Sequence, residues 1–328
     1  MRLALQIAPQ HSTQYADMAA KLAAPELLAS PAGASVVSVD PIELGGVDYL
    51  VVELAEDTEL EQLMPVLSRL GATSCAFELL DGPLLRPLEP RFEPHLPLEL
   101  AEARRYRGKT SEVFSRVLLN LALFAGAFSD RIETRLRVLD PLAGGGTTLF
   151  LALAAGYDAF GVEQEKRDVE TTAAFVREYC REARISCQET HEKAKRRFTL
   201  DLGPRDDRRL LVLTQGDSRG ADALLRDVSG GARFHALAAD LPYGIQHDGV
   251  ARILVGEAIG AWERTLLPGG AIALAWDATR LSRDALRKVV ESSSSLRVLD
   301  HGPYAELGHR VDRVIKRRDV LVAVKSQG

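Results

Sequence analysis

At 328 residues, with 46% apolar and 27% charged side chains, the chain has the composition of one large or two ordinary globular domains with a sizeable core. A net charge of −5 argues against a protein that coats DNA, and three scattered cysteines without a CxxC pair form neither a disulfide framework nor a zinc site. No apolar run reaches the ~18 residues of a membrane helix, and the apolar part of MRLALQIAPQHS is too short for a signal peptide. A cytoplasmic protein in a reducing compartment, without membrane contact, is expected.

Taken in chain order, RLALQIA reads as a strand, YADMAAKLAAPELLA as a helix, VVSV and DYLVVEL as strands, and ELEQLMPVLSRLG as an amphipathic helix with Gly71 as its C-cap. TSCAFELL closes a βαββαβ order, which predicts a small ferredoxin-like α+β domain over residues 1–82. Pro83, Pro87, Pro90, Pro94 and Pro97 then exclude a helix or a central strand, so residues 83–99 are expected to be a Pro-rich linker. Over residues 100–328 strands and helices alternate as in a Rossmann-like, doubly wound α/β sheet. SEVFSRVLLNLALFAGAF is a helix with Ser111 as N-cap. RVLDPL, DAFGVE, LLVLTQGD, HALAADLP and AIALAWD are strands, and TTLFLALAAG is a helix between the first two. SSLRVLDHGPYAE and RRDVLVAVK suit a closing antiparallel pair, and residues 165–209 read as a long polar connection with a helical, charge-rich middle.

Charge is uneven along the chain. Residues 1–100 carry 5 Lys and Arg against 15 Asp and Glu, a net of −10, whereas residues 101–328 carry 36 against 31, a net of +5. That allows a local footprint for a polyanion, although solvated charge on two unlike domains would look the same.

Four motifs carry chemistry. Val138-Leu139-Asp140-Pro141-Leu142-Ala143-Gly144-Gly145-Gly146-Thr147-Thr148 is a strand, a glycine turn and a helix start. Glycines let the backbone approach a ligand, the helix N-terminus suits a carboxylate, and Asp140 suits an amine. The spacing is not GxGxxG, and no Lys-Ser or Lys-Thr pair follows as in a phosphate loop. Glu163 ends the next strand 23 residues later, where such folds grip a ribose diol. Asp217, in Gln215-Gly216-Asp217-Ser218, ends another strand; it suits an adenine amine, or equally a helix cap. The fourth, Ala239-Asp240-Leu241-Pro242-Tyr243-Gly244, suits an exocyclic base amine, whose lone pair is delocalised into the ring. A carboxylate and the next backbone carbonyl accept its hydrogens and direct the lone pair at a donor, while Tyr243 stacks on the extruded base.

DPLAGGGTT followed by DLPYG resembles motifs I and IV of class I S-adenosylmethionine-dependent amino-methyltransferases, whose motif IV usually reads Asp or Asn, then Pro-Pro-aromatic. Leu241 in the second position and Gly244 after the aromatic resemble the THUMP-associated tRNA and rRNA guanine-N2 methyltransferases. Arg105-Tyr106-Arg107-Gly108-Lys109-Thr110-Ser111, with Asn120 beyond it, is similar to a segment that packs beside the cofactor in these enzymes. Leu266-Leu267-Pro268-Gly269-Gly270 resembles their turn before the fifth strand.

The resemblance spans roughly residues 100–328. It implies S-adenosyl-L-methionine as cofactor, RNA (above all tRNA) as partner, and no metal. It implies that Asp140, Gly144 and Gly146 hold the methionine part, Glu163 the ribose and Asp217 the adenine. Pro141, Ala143, Thr147, Thr148, Ser218, Lys109 and Thr110 complete the cofactor set. Asp240, Leu241, Pro242 and Tyr243 hold the target base.

A DNA adenine-N6 or cytosine-N4 methyltransferase shares both motifs but would need a strongly basic recognition domain, which the sequence does not show. A non-catalytic S-adenosylmethionine-binding module is the third reading. Two basic stretches could meet phosphates: Lys193, Lys195, Arg196, Arg197, Arg205, Arg208 and Arg209, and Arg310, Arg313, Lys316, Arg317 and Arg318. Interleaved acids make both equally readable as solvated faces. His247 follows motif IV and suits the wall of a base pocket or a structural role.

Overall fold

In the computed structural model, which describes residues 1–10, 13–82, 84–106, 108–242, 250–311 and 316–328, the apolar alternation near the start builds one sheet and the apolar runs after residue 130 build another. The first comprises β1 (Arg2–Ile7), α1 (Thr13–Ala29), β2 (Val36–Leu44), β3 (Val47–Leu54), α2 (Leu60–Leu67) and β4 (Thr73–Leu79). Its strands pair antiparallel in the order β2-β3-β1-β4, the expected ferredoxin-like arrangement. Residues Leu85–Pro87 add an edge strand, β5, inside the stretch expected to be linker. An edge position tolerates Pro87 because only one flank needs donors. Nor is this stretch a free tether: the His95 N–H donates to the Ala154 carbonyl at 2.8 Å, and Leu96 is buried. Two domains, 1–82 and 100–328, remain our proposal for the chain's division; they share one continuous core.

The second sheet follows α3 (Glu99–Ala103) and α4 (Glu112–Ala125). Ser111 takes the N-cap position of α4, but its hydroxyl makes no capping bond. In order come β6 (Arg137–Asp140), α5 (Thr147–Ala154), β7 (Asp158–Glu163), α6 (Lys166–Glu182), β8 (Cys187–Glu192), β9 (Arg197–Leu202), β10 (Arg209–Gln215) and α7 (Ala221–Leu224). Then follow β11 (Phe234–Asp240), α8 (Val250–Thr265), β12 (Leu266–Asp277), α9 (Arg283–Ser293), β13 (Arg297–Leu299) and β14 (Arg318–Val324). The nine strands lie in the order β13-β14-β12-β11-β6-β7-β10-β9-β8. Strands β12, β11, β6, β7 and β10 run parallel, and β14 is inserted antiparallel between β12 and β13. This is the class I methyltransferase arrangement of the Rossmann-like sheet, extended at one edge.

The extension is the hairpin β8–β9. Residues 187–202 read as polar connection, yet they pair antiparallel with each other and with β10. Cys187-Gln188-Glu189-Thr190-His191-Glu192 lies at the sheet's edge with little buried surface, so it shows no apolar alternation.

Packing follows the pattern of a sheet covered on both faces, with near-continuous apolar strands. Helices α4, α5 and α6 cover one face together with the first domain, and α7, α8 and α9 cover the other around Trp262 and Trp276.

The two domains meet at Glu26, which is fully buried in α1. Its carboxylate accepts from the Gly71 N–H at 2.8 Å, the Ala72 N–H at 2.9 Å and Asn120 Nδ2 of α4 at 2.7 Å. Burial outweighs these donors and the nearby Arg116 and lifts the carboxyl above its ordinary range. Gly71 is therefore not the C-cap of α2, a place taken by Ser68. It is small because a Cβ there would lie 2.8 Å from the Val117 amide nitrogen. Asn120 faces this junction rather than the cofactor side expected for it.

Glu26→Ala should cost about 2–4 kcal/mol, because it leaves two amides buried without acceptors and Asn120 Nδ2 with only the Arg69 carbonyl. Urea unfolding checks this, and a variant within about 0.5 kcal/mol of the parent would remove Glu26 from the junction.

Candidate functional site

Strand order reverses between β6 and β11, and in such sheets ligands bind beyond the carboxyl ends of the strands at that point. A cavity of about 430 Å3 opens there, a volume suited to a small molecule. Pro141, Glu163, Asp217, Ser218, Asp240 and Pro242 are among its walls. Residues from four motifs 100 positions apart are thus brought together. Ala143, Gly144, Gly146, Thr147 and Thr148 are not among its walls. Leu241 is fully buried and donates its N–H to the Ala275 carbonyl.

The glycine turn is built to hold carboxylates. Gly146, with φ of 87°, is the N-cap of α5, and Gly144 has φ of 47°. The Gly144 N–H donates to Glu163 Oε2 at 2.8 Å, and the Glu165 N–H donates to Oε1 at 2.8 Å. A Cβ on Gly145 would lie 2.2 Å from the ring of Tyr106, whose hydroxyl is 2.7 Å from Thr147 Oγ1. Tyr106 therefore lies flush against the turn; burial raises its pKa. Its segment resembled the family's, but this contact had no local signal.

Asp140 is buried, and its Oδ1 accepts from the Leu142 N–H at 3.0 Å. Burial pushes its carboxyl up to about 7; the Leu142 amide and the Thr148 hydroxyl oppose the rise, and the charges of Asp240 and Glu163 add to it. Asp240 Oδ2 accepts from Thr110 Oγ1 at 2.6 Å, and Arg318 Nη2 approaches it to 3.8 Å. Thr110, expected in the cofactor set, therefore bonds to the motif IV carboxylate. Lys109 turns away to the Ala101 and Glu102 carbonyls and Glu112. Arg318 does not meet phosphates as its basic stretch suggested. It is buried on β14, with its guanidinium 4.5 Å from the Phe114 ring centre.

Asp217 takes the helix-cap place that its sequence allowed. It lines the cavity, and its Oδ1 accepts from the Arg219 N–H at 3.0 Å as cap of the short 3-10 turn at 218–220. Arg219 Nε also reaches that oxygen at 3.0 Å, and its Nη1 reaches Glu257 at 2.8 Å. These bonds, the backbone one first, hold Asp217 below the usual carboxylate range. Tyr243, Gly244, His247 and Arg313 lie outside the described residues. Among the described residues, no group of three His, Cys, Asp or Glu is placed to hold a metal, and no helix is long and apolar enough to cross a membrane.

No family model matches the chain, and no curated protein matches it. Solved structures do. TrmN from Thermus thermophilus is 18% identical over 88% of this chain and 59% of its own, with a TM-score of 0.40. The T. thermophilus 16S rRNA N2 methyltransferase RsmC, solved with AdoMet and guanosine, is 17% identical over 90% of this chain and 60% of its own, with a TM-score of 0.38. A precorrin-6y C5,15-methyltransferase from Geobacter metallireducens is 15% identical over 68% of this chain and 93% of its own, with a TM-score of 0.37. The chain spans about three-fifths of the length of TrmN and RsmC. Likenesses of this size carry no argument about chemistry, and the fold assignment rests on the strand order.

Asp140 has a folded pKa raised above the ordinary 3.8. Its contribution to stability is therefore full below pH 4 and is lost as pH rises through about 7. Asp140→Asn, which does not titrate, should gain on the parent between pH 5 and pH 8 by roughly 1–4 kcal/mol. Parallel melting-temperature profiles for the two proteins would show that Asp140 does not titrate in this window.

Proposed function

We propose that the chain transfers a methyl group from S-adenosyl-L-methionine to an exocyclic amine of a nucleic-acid base, guanine N2 of a tRNA. The observation that carries this reading is the placement of Asp240, at the end of β11, in one cavity with Glu163 and Asp217 and beside the raised carboxyl of Asp140. Leu241-Pro242-Tyr243-Gly244 in motif IV supports guanine N2 and RNA.

The residues fit the cofactor chemically. Asp140 is a buried carboxyl that two neighbouring carboxylates destabilise in its charged form, so a cation beside it would be welcome. The ammonium and sulfonium of S-adenosylmethionine are such cations. Glu163 retains acceptor capacity on both oxygens for a ribose diol, since each already accepts only one amide N–H in the bonds above. Leu142, Val162 and Ile253 give the same cavity an apolar wall for an adenine, with Asp217 at its edge. When bound, the cofactor supplies an electrophilic methyl group.

The chain's own part is positioning. Asp240 accepts one N–H of the base amine and the Leu241 carbonyl accepts the other, which draws the nitrogen lone pair out of conjugation with the ring and points it toward the cavity. Thr110 fixes one oxygen of Asp240, and Arg318 stabilises its charge. No residue need remove a proton first, since the methylated amine is acidic enough to lose it afterwards to solvent. Holding the two reactants in register supplies the acceleration.

Asp240→Asn should lower kcat by about 10^2–10^3 while changing affinity for S-adenosylhomocysteine by less than about tenfold. The assay is labelled methyl transfer to unmodified tRNA, with rRNA and duplex DNA in parallel and nucleoside analysis of the product. N2-methylguanosine from tRNA, lost in the variant, is the expected result; label confined to DNA would overturn the RNA reading. Glu163→Ala should weaken S-adenosylhomocysteine roughly 10–100-fold by calorimetry, the worth of a charged hydrogen-bonding partner. Unchanged affinity would move the ribose elsewhere.

A further inference from the structure

The hairpin β8–β9 does more than lengthen the sheet. At its tip a second cavity, about 560 Å3, is walled by Lys166, His191, Lys193, Arg196, Phe198 and Gln215 among others. A third, about 570 Å3, lies on the other side of Arg196, against Lys195, Arg197, Arg226 and Asp227. Six cations and two carboxylates, Glu170 and Asp227, line these two adjoining hollows in a chain whose net charge is −5.

The five cations other than Arg226 fall into two kinds. Arg197 is buried and bonded to Asp227 and the Leu224 carbonyl; Lys195 pairs with Glu192 and Asp227; Lys166 stands 3.5 Å from Glu170. The first two tie the hairpin to the segment after α7, and the third lies within α6. Lys193 and Arg196 are exposed and have no ion pair or side-chain hydrogen bond with the described residues. Arg196 also sits at φ 50° and ψ 45°, a left-handed conformation that glycine or asparagine takes with less strain.

Between them lies a flat ring platform. His191 and Phe198 stack with centroids 4.0 Å apart and planes 8° from parallel, and His191 is exposed. A planar face beside two unengaged cations is the arrangement that takes a nucleotide, the base on the ring and the phosphates on the ammonium and guanidinium. An acidic peptide would use the charge and leave the stack idle. Gln215 links this hollow to the wall of the first cavity. The Gln215 N–H donates to the Arg196 carbonyl at 2.9 Å, and its Nε2 donates to the carbonyl of Gln164, a wall residue of that cavity.

We infer that the tip of the β8–β9 hairpin is a docking site for single-stranded RNA, binding a nucleotide of the substrate outside the base that is modified. This rests on the RNA methyltransferase reading for its biological occupant, but its test is independent of turnover. The double variant Lys193→Glu, Arg196→Glu and the single variant His191→Ala are compared with the parent chain. Anisotropy of a labelled 12-nucleotide oligouridine is read over a range of salt, and affinity for S-adenosylhomocysteine is read by calorimetry.

The double variant should bind the oligonucleotide at least tenfold more weakly, with the slope of log affinity against log salt reduced by about 1.4, two phosphate contacts at ~0.7 each. His191→Ala should lose roughly tenfold with an unchanged slope. Cofactor affinity should stay within about twofold in all three proteins, which excludes misfolding. Oligonucleotide binding equal in parent and variants overturns the site while leaving the methyltransferase reading intact. Binding by the parent of duplex DNA but not of the oligouridine also overturns it. Cofactor binding without methyl transfer to any RNA overturns the reading of the reaction, and the anisotropy result still decides the site.

Discussion

Everything near the cavity answers to one electrostatic constraint: three adjacent parallel strands, β11, β6 and β7, end in carboxylates that repel one another. Asp240, Asp140 and Glu163 cannot share a poorly solvated crevice unless each is supplied with donors or a counter-charge. The surroundings are organised around that need. The glycine turn aims amide N–H groups at Glu163 and Asp140, and α5 adds the Thr148 hydroxyl. The segment before α4 brings Thr110 to Asp240, and β14 brings Arg318. Even so, Asp140 is left with a carboxyl near neutrality. Burial and the two neighbouring charges thus outweigh the donors that the chain brings to Asp140.

The features legible in the sequence are those whose signals are local. A strand, a glycine turn and a helix start lie within eleven residues of each other in 138–148, and backbone sterics alone make that string a turn. Glu163, Asp217 and Asp240 were legible as strand-end acids because the apolar runs before them are unbroken. The first sheet's order was legible for the same reason.

What escaped the sequence was fixed by residues far apart. Asn120 lies on a helix that looked set beside the cofactor, but its direction is decided by a buried glutamate 94 positions earlier. Lys109 and Thr110 are neighbours, yet one turns to α3 and the other to Asp240, 130 residues on. Arg318 sits in a basic run and reads as surface until β14 is placed between two strands. The β8–β9 hairpin is the clearest omission. Its outer strand carries no apolar period, because an edge strand with one partner has little to bury.

The insertion of β14 between β12 and β13 has a consequence for the order of events during synthesis. Strands β6, β7, β10, β11 and β12 can associate as they leave the ribosome, but the slot beside β12 stays open until residues 318–324 have been made. Until then β13 has no partner and the edge of β12 is exposed. Arg318 arrives with the same strand, so Asp240 acquires its cationic neighbour only in that last step. The nascent chain therefore carries a nearly complete sheet while Asp240 still lacks Arg318 beside it. Arrival of that cation and closure of the sheet become one event, separated in the chain from the glycine turn by more than 170 residues.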